Sequence, residues 1–249
     1  MTDHPRRILA IGGDERRDFL QNLVSNDVPA ADGVLRYAAL LTPQGKYLAD
    51  FLMFEREGTL YLDVAAPLFD TLKQRLTMYR LRRRITLEEV DMPVHRGTGT
   101  APEGAMADPR HPALGWRGYG EGFAGDDTDW TALRVAHCIP ESGIELVPDD
   151  TYILEAGFER LHGVDFRKGC YVGQEVTARM KHKTELKKGL ARVTVEGEAD
   201  AGTPITSGGK PAGTLFSRSG GEAIAWLRFD RADGDMQAGP AVVRRSQDA

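Results

Sequence analysis

At 249 residues and 41% hydrophobic content, the chain can bury a core of its own and fits one large domain or two to three small ones. A formal net charge of −5 argues against a general nucleic-acid binder, and two cysteines, Cys138 and Cys170, suggest neither a disulfide framework nor a zinc ribbon. The basic start Met1–Arg7 has no apolar stretch behind it and no apolar run approaches a membrane span, so a cytoplasmic protein without a membrane partner is expected.

In chain order, Asp14 is placed to cap a helix over 15–25, with Phe19, Leu20, Leu23 and Val24 at helical spacing. Leu35–Leu41, Tyr47–Phe54 and Leu60–Val64 read as strands, the first two joined by the turn Thr42-Pro43-Gln44-Gly45. Pro67 should open a helix burying Leu68, Phe69, Leu72, Leu76 and Tyr79, and Ile85–Val90 reads as another strand. Residues 97–127, dense in glycine with Pro102, Pro109 and Pro112, predict irregular structure. Thr131–Ile139 has helical character, which makes Cys138 a small core residue on an amphipathic helix. From about 187 onward, short alternating segments at Leu190–Val195, Pro204–Ser207, Gly213–Phe216 and Ala223–Leu227 predict a small all-β barrel. Strands and helices in this order make an α+β protein.

Two basic clusters stand out. Lys73, Arg75, Arg80, Arg82, Arg83 and Arg84 read as a solvated face. Arg179, Lys181, His182, Lys183, Lys187 and Lys188 follow the octapeptide Lys168-Gly169-Cys170-Tyr171-Val172-Gly173-Gln174-Glu175. In that octapeptide two glycines permit turning or close backbone approach, and a lysine two positions before a cysteine would favour the reactive thiolate. A surface lysine is an equal reading of Lys168. Tyr171 either stacks on a ligand or packs the motif, and Gln174 and Glu175 either fix the cysteine loop or meet a partner. The histidines show no metal-ligand spacing, and neither a G-x-S-x-G elbow nor a phosphate loop is present.

The octapeptide resembles the K-G-C-Y-x-G-Q-E signature of the YgfZ-type folate-binding family, relatives of the glycine-cleavage T-protein, and matches it at every fixed position. Three further segments agree in order: Phe19-Leu20-Gln21-Asn22 through Asn26-Asp27-Val28, Leu41-Thr42-Pro43-Gln44-Gly45-Lys46, and Asp108-Pro109-Arg110 with Leu114-Gly115-Trp116-Arg117. The resemblance covers roughly residues 15–230. It implies a T-protein-like arrangement of three subdomains around a central pocket. The expected parts are a body at 1–186, its segments 1–50 and 135–186 enclosing 51–134, and a barrel at 187–249.

It also implies tetrahydrofolate as cofactor and iron–sulfur client or assembly proteins as partners. The expected role is an accessory factor in iron–sulfur cluster assembly or repair, more so than a catalyst. The alternative is a tetrahydrofolate-dependent aminomethyl transferase. Cys170 is the functional thiol, and Lys168, Tyr171, Gln174, Glu175, Glu155, Asp50 and Arg179 are the expected folate-site residues, with no metal site. Arg179, Lys181, Lys183, Lys187 and Lys188 are expected to meet a polyglutamate tail or an acidic client. Against the transferase, Ala136 stands where the T-protein has a pterin-contacting glutamate, and its aspartate pair has become Ala49-Asp50. Near Glu155, Ile153 and Gly157 replace the proline and asparagine frequent in the family.

Overall fold

A computed structural model describes residues 5–183 and 185–246. The body is organised on one antiparallel sheet built from β1 (Arg6–Gly12), β2 (Arg36–Leu41), β3 (Tyr47–Arg56), β4 (Thr59–Ala65) and β5 (Thr86–Val90), in the order β2-β3-β4-β1-β5. β3 is buried along all but its last residue, so side chains on both of its faces are covered, Phe51 and Met53 on one and Leu52 and Phe54 on the other. The short helix α1 (Arg16–Gln21) and the longer α2 (Ala66–Arg80) bring Phe19, Leu20, Leu68, Phe69, Leu72 and Leu76 to the same core. Pro67 occupies the first turn of α2, where its missing N–H costs nothing. Residue 50/51, the expected seam between body segments, lies inside β3, and both sides of it pair with β2.

Several details differ from the sequence reading. β1 was not anticipated; its apolar run Ile8-Leu9-Ala10-Ile11 is short and sits between β4 and β5, buried by pairing on both edges. α1 is capped at Glu15 without a side-chain hydrogen bond, so Asp14 is not the cap. Within 97–127 the chain forms β7 (Met106–Ala107) and β8 (Trp116–Tyr119), which join β6 (Val94–Gly97) in a three-stranded sheet ordered β6-β8-β7. Strands this short carry too few alternations to be read. α3 (Trp130–Ala136) ends two residues before Cys138, which is buried at φ +50 in the turn that follows.

The helix α4 (Gln174–Lys183) leads to a closed barrel of β9 (Lys188–Glu196), β10 (Pro204–Ser207), β11 (Lys210–Ser219), β12 (Glu222–Arg228), β13 (Met236–Ala238) and β14 (Ala241–Arg245). Its interior holds Val193, Val195, Ile205, Leu215, Leu227, Met236 and Val243. The barrel meets the body through main chain as well as side chains. Leu190 N–H donates to the Glu155 carbonyl at 2.7 Å, and a Cβ on Gly189 would lie 2.7 Å from that same oxygen. Arg134 of α3 donates to Ser217 Oγ at 3.2 Å, while Glu145 accepts from Ser217 N–H at 3.1 Å. Both groups are buried, so each finds a partner across the seam.

Candidate functional site

The cysteine octapeptide is positioned by contacts between backbones. Gly173 has φ +83, and a Cβ there would lie 2.7 Å from the Thr42 carbonyl oxygen and 3.1 Å from Gly45 Cα. Gly45, at φ +75, leaves equally little room against Val176 at 2.8 Å. The turn 42–45 and the entry to α4 are therefore packed main chain to main chain, which a side chain at either glycine would prevent. Thr177 reinforces the junction by donating to the Gly173 carbonyl at 3.3 Å.

Lys168 is buried, and its ammonium donates to the carbonyls of Val24 at 2.6 Å and Asn26 at 2.9 Å. Asn26 in turn donates to the carbonyls of Tyr37 and His162, each at 2.8 Å. Three separated segments are thus sewn together by two side chains. Burial lowers the Lys168 ammonium to about 8, with Asp27 and Asp165 acting in the other direction. The hydrogen bonds of this lysine serve the loop rather than the thiol. Tyr171 is buried against the core, and burial pushes its phenol up to about 12. Between these two anchored residues Cys170 is exposed. Gln174 and Glu175 form the first turn of α4, with Gln174 N–H bonded to the Tyr171 carbonyl at 3.2 Å.

The other expected site residues are spread over different places. Asp50 is buried and accepts from Tyr37 Oη at 3.0 Å, Tyr47 Oη at 2.6 Å and Ser142 Oγ at 2.6 Å. Glu155 borders a cavity of about 300 Å³ at the body–barrel seam, together with Lys46, Lys188, Phe216 and Trp226. Burial raises its carboxyl despite the Lys188 ammonium 3.5 Å away. Arg179 is exposed on α4. The basic run is divided: Lys181 pairs with Glu159, Lys188 with Glu155, and the Lys183 side chain lies outside the described residues.

A second cavity, of about 370 Å³, is lined by Arg6, Arg96, Arg110, Arg117, Asp91 and Glu141 together with Met92 and Val94. Behind its guanidinium groups run two buried carboxylates. Asp63 accepts from Arg6 at 2.5 Å, Arg117 at 3.1 Å and Tyr119 at 2.9 Å. Asp108 accepts from Arg110 at 3.0 and 2.8 Å and from Arg117 at 3.0 Å. Burial alone would raise both carboxyls; the adjoining arginines more than offset it and hold both below the usual carboxylate range. The Asp50 group lies close by, since Ser142 follows the cavity residue Glu141 and Arg110 stands 5.5 Å over the Tyr37 ring. Arg110 and Arg117 lie in the D-P-R…L-G-x-R segment that carries part of the family resemblance but were not among the expected site residues, and nothing in the sequence singled out Arg6, Asp63, Arg96 or Glu141. They come from β1, β4, β6 and the loop after α3, and meet only in the fold.

The fold is that of a glycine-cleavage aminomethyltransferase. The chain matches the crystal structure of aminomethyltransferase T from Bartonella henselae with a TM-score of 0.74, covering 96% of this chain and 81% of that one, at 14% identity. Residues 187–248 match the family model described as CAF17, C-terminal beta-barrel domain. In sequence the chain is similar to the iron-sulfur cluster assembly factor IBA57, mitochondrial, of Mus musculus, 29% identical over 278 residues, covering 93% of this chain and 78% of the mouse protein. The Homo sapiens protein of the same name is 29% identical over 290 residues, covering 98% of this chain and 80% of its own length. A homolog from Mycosarcoma maydis is 28% identical over 216 residues, covering 74% of this chain and 54% of that protein. The expectation of a cytoplasmic protein is corrected by these relatives, all three of which are named as mitochondrial.

Proposed function

We propose that this chain is a folate-binding accessory protein, of the YgfZ type, that supports assembly or repair of iron–sulfur clusters in other proteins. The observation that carries the accessory role is the exposed Cys170 thiol, set at the surface by a loop whose neighbours Lys168, Tyr171 and Gly173 are each anchored. The names of the sequence relatives support the same role. A cluster generally takes four protein ligands. Among the described residues no three His, Cys, Asp or Glu side chains are grouped to hold a metal ion. Cys170 therefore acts on a cluster as one member of a set completed by a partner, or as a thiol in exchange chemistry.

The arginine-lined cavity is the folate site in this reading. Its guanidinium groups suit the carboxylates of a folate, and the Glu141 carboxylate suits the N–H edge of a pterin. Glu141 stands five residues beyond Ala136, on the same stretch that carries the pterin-contacting glutamate in the T-protein. Bound folate would supply a one-carbon carrier; the chain's own residues bind and orient it. An aminomethyl transferase is the less supported reading. Ala136 offers no carboxyl group, and Asp50 already accepts hydrogen bonds from three hydroxyl groups.

The test pairs two measurements. Tetrahydrofolate titrated into the purified protein should bind saturably, and Glu141→Gln should weaken that binding. In cells lacking the protein, the parent gene should restore cluster-dependent enzyme activity under oxidative stress, whereas Cys170→Ser should not. Full enzyme activity without the protein would sink the accessory role.

A further inference from the structure

We propose that the C-terminal end of α2 is a docking site for an acidic segment of a partner protein, with Leu81 as its apolar anchor. The site goes beyond the folate and thiol readings and rests on neither. Between Thr71 and Leu87 the sequence carries six cations, Lys73, Arg75, Arg80, Arg82, Arg83 and Arg84, and no carboxylate, in a chain whose net charge is −5. Glu15 holds Arg83 at 3.4 Å and Arg84 at 3.6 Å. Arg75, Arg80 and Arg82 are exposed, and their side chains make no ion pair among the described residues.

Beside these cations stand the two most exposed large apolar side chains of the described residues, Met78 at 62% and Leu81 at 84%. Leu81 closes α2 at φ +46 and ψ −113, a backbone conformation that suits glycine and strains a leucine. Packing within the chain compensates neither the strain nor the exposure. The turn that carries the leucine is nonetheless fixed. Arg83 N–H donates to the Arg80 carbonyl at 2.8 Å, and Arg84 N–H donates to Glu15 Oε2 at 2.7 Å. Leu81 is thus presented in one place, with little ordering left to do when a partner arrives.

The chemistry of the patch favours a protein over other anionic partners. Leu68, Phe69, Leu72 and Leu76 of α2 are buried in the core, so Met78 and Leu81 alone would face a bilayer, far less than an amphipathic membrane helix offers. Tyr79 is half-buried against the core and offers no free ring on which a nucleic-acid base could stack. Arginine and methionine, by contrast, are enriched where proteins meet, and an apolar centre inside a polar rim is the usual anatomy of such a contact. The guanidinium forks suit carboxylates. The partner segment therefore carries Asp or Glu side chains around an apolar one that covers Leu81.

The purified protein would be titrated into a fluorescein-labelled peptide in which leucine pairs alternate with glutamate pairs, and into polyglutamate of the same length, with anisotropy as the readout. The leucine-containing peptide should bind saturably and more tightly than polyglutamate. Arg80→Gln/Arg82→Gln should weaken it at least about fivefold and flatten its salt dependence. Leu81→Gly should weaken it by a similar factor while melting at or above the parent temperature, because glycine relieves the backbone strain. A lower melting temperature for Leu81→Gly would return the leucine to a role in the fold and overturn the docking role. Equal binding of the two peptides, or binding unchanged by Leu81→Gly, would overturn the anchor. Absence of peptide binding would overturn the site. So would arginine-dependent binding, in its place, to a random-sequence DNA duplex or to phosphatidylcholine vesicles with about 30% phosphatidylserine. Self-association in sedimentation that Leu81→Gly abolishes would overturn the acidic partner in favour of a second copy of this chain.

Discussion

Asp63→Asn tests whether the ion network behind the cavity holds the body together. Asp63 is fully buried on β4 and accepts from Arg6, Arg117 and Tyr119. The amide keeps the volume and removes the charge. Arg6 is left without its close carboxylate, whereas Arg117 retains Asp108 at 3.0 Å. Breaking a buried pair from one side costs about 3–5 kcal/mol, and the retained Asp108 contact places this case near ~3 kcal/mol. With a urea dependence of roughly 3 kcal/mol/M, the unfolding midpoint should fall by about 1 M. Tyr119→Phe removes one hydrogen bond to the same carboxylate and should cost only ~1 kcal/mol.

Acid distinguishes charge from shape. The folded-state carboxyl of Asp63 is held below its usual value because Arg6 and Arg117 outweigh its burial. Its contribution is present above roughly pH 4, the unfolded-chain value, and is lost as pH falls through the lower folded value. The gap between the parent and Asp63→Asn should therefore narrow below about pH 4. A midpoint shift under ~0.2 M at neutral pH would refute the reasoning, because it would mean the two arginines need no carboxylate there.

Cys170→Ala and Cys170→Ser should each leave the unfolding midpoint within ~0.5 kcal/mol of the parent, as surface changes do, while abolishing complementation; a large loss of stability would return the cysteine to a packing role. A thiol reagent at pH 8 should label Cys170 in the folded protein and spare Cys138, whose thiol burial pushes up to about 11; two equivalents of rapid labelling would contradict the placement. Gly173→Ala should destabilise by at least ~1 kcal/mol, since it meets both a positive φ and the Thr42 carbonyl, and a neutral melt would disprove the close packing. The Lys168 amine is lowered by burial to about 8 in the folded state against roughly 10.4 unfolded, so the unfolded chain binds more protons between those values. Stability measured against Lys168→Met should consequently rise from pH 8 toward pH 10, and a flat or falling difference would place the amine in water.

Elements with a regular period were legible in the sequence, and those made by tertiary contact were not. β2, β3, β4 and α2 fall within one or two residues of the expected ranges because apolar spacing and the marks at Pro43, Gly45 and Pro67 delimit them. The barrel was readable from alternation in β9 and glycine-rich turns beyond it. β7 and β8 escaped because two- and four-residue strands have no measurable period. The octapeptide stood out for its composition, yet the role of Lys168 was not in that composition. Its partners Val24 and Asn26 lie more than 140 positions away. The arginine cavity shows the same limit: each arginine alone resembles an ordinary surface cation, and only the fold places them around one space.

The contact between Gly45 and Gly173 has a bearing on how this surface can vary. The height at which the thiol stands is set by two hydrogens occupying the places where side chains would otherwise be, with the Thr42 carbonyl pressed close against one of them. Around that junction the exposed side chains of Glu175 and Arg179 take no part in holding the loop, so they are free to be exchanged for others that suit a different docking face. A library that randomised those two positions while keeping both glycines should return many variants with the parent's thiol reactivity and altered choice of protein partner. In the proposed accessory role, geometry at this site rests on the glycines and recognition would fall to the exposed side chains, so one could be redesigned without disturbing the other.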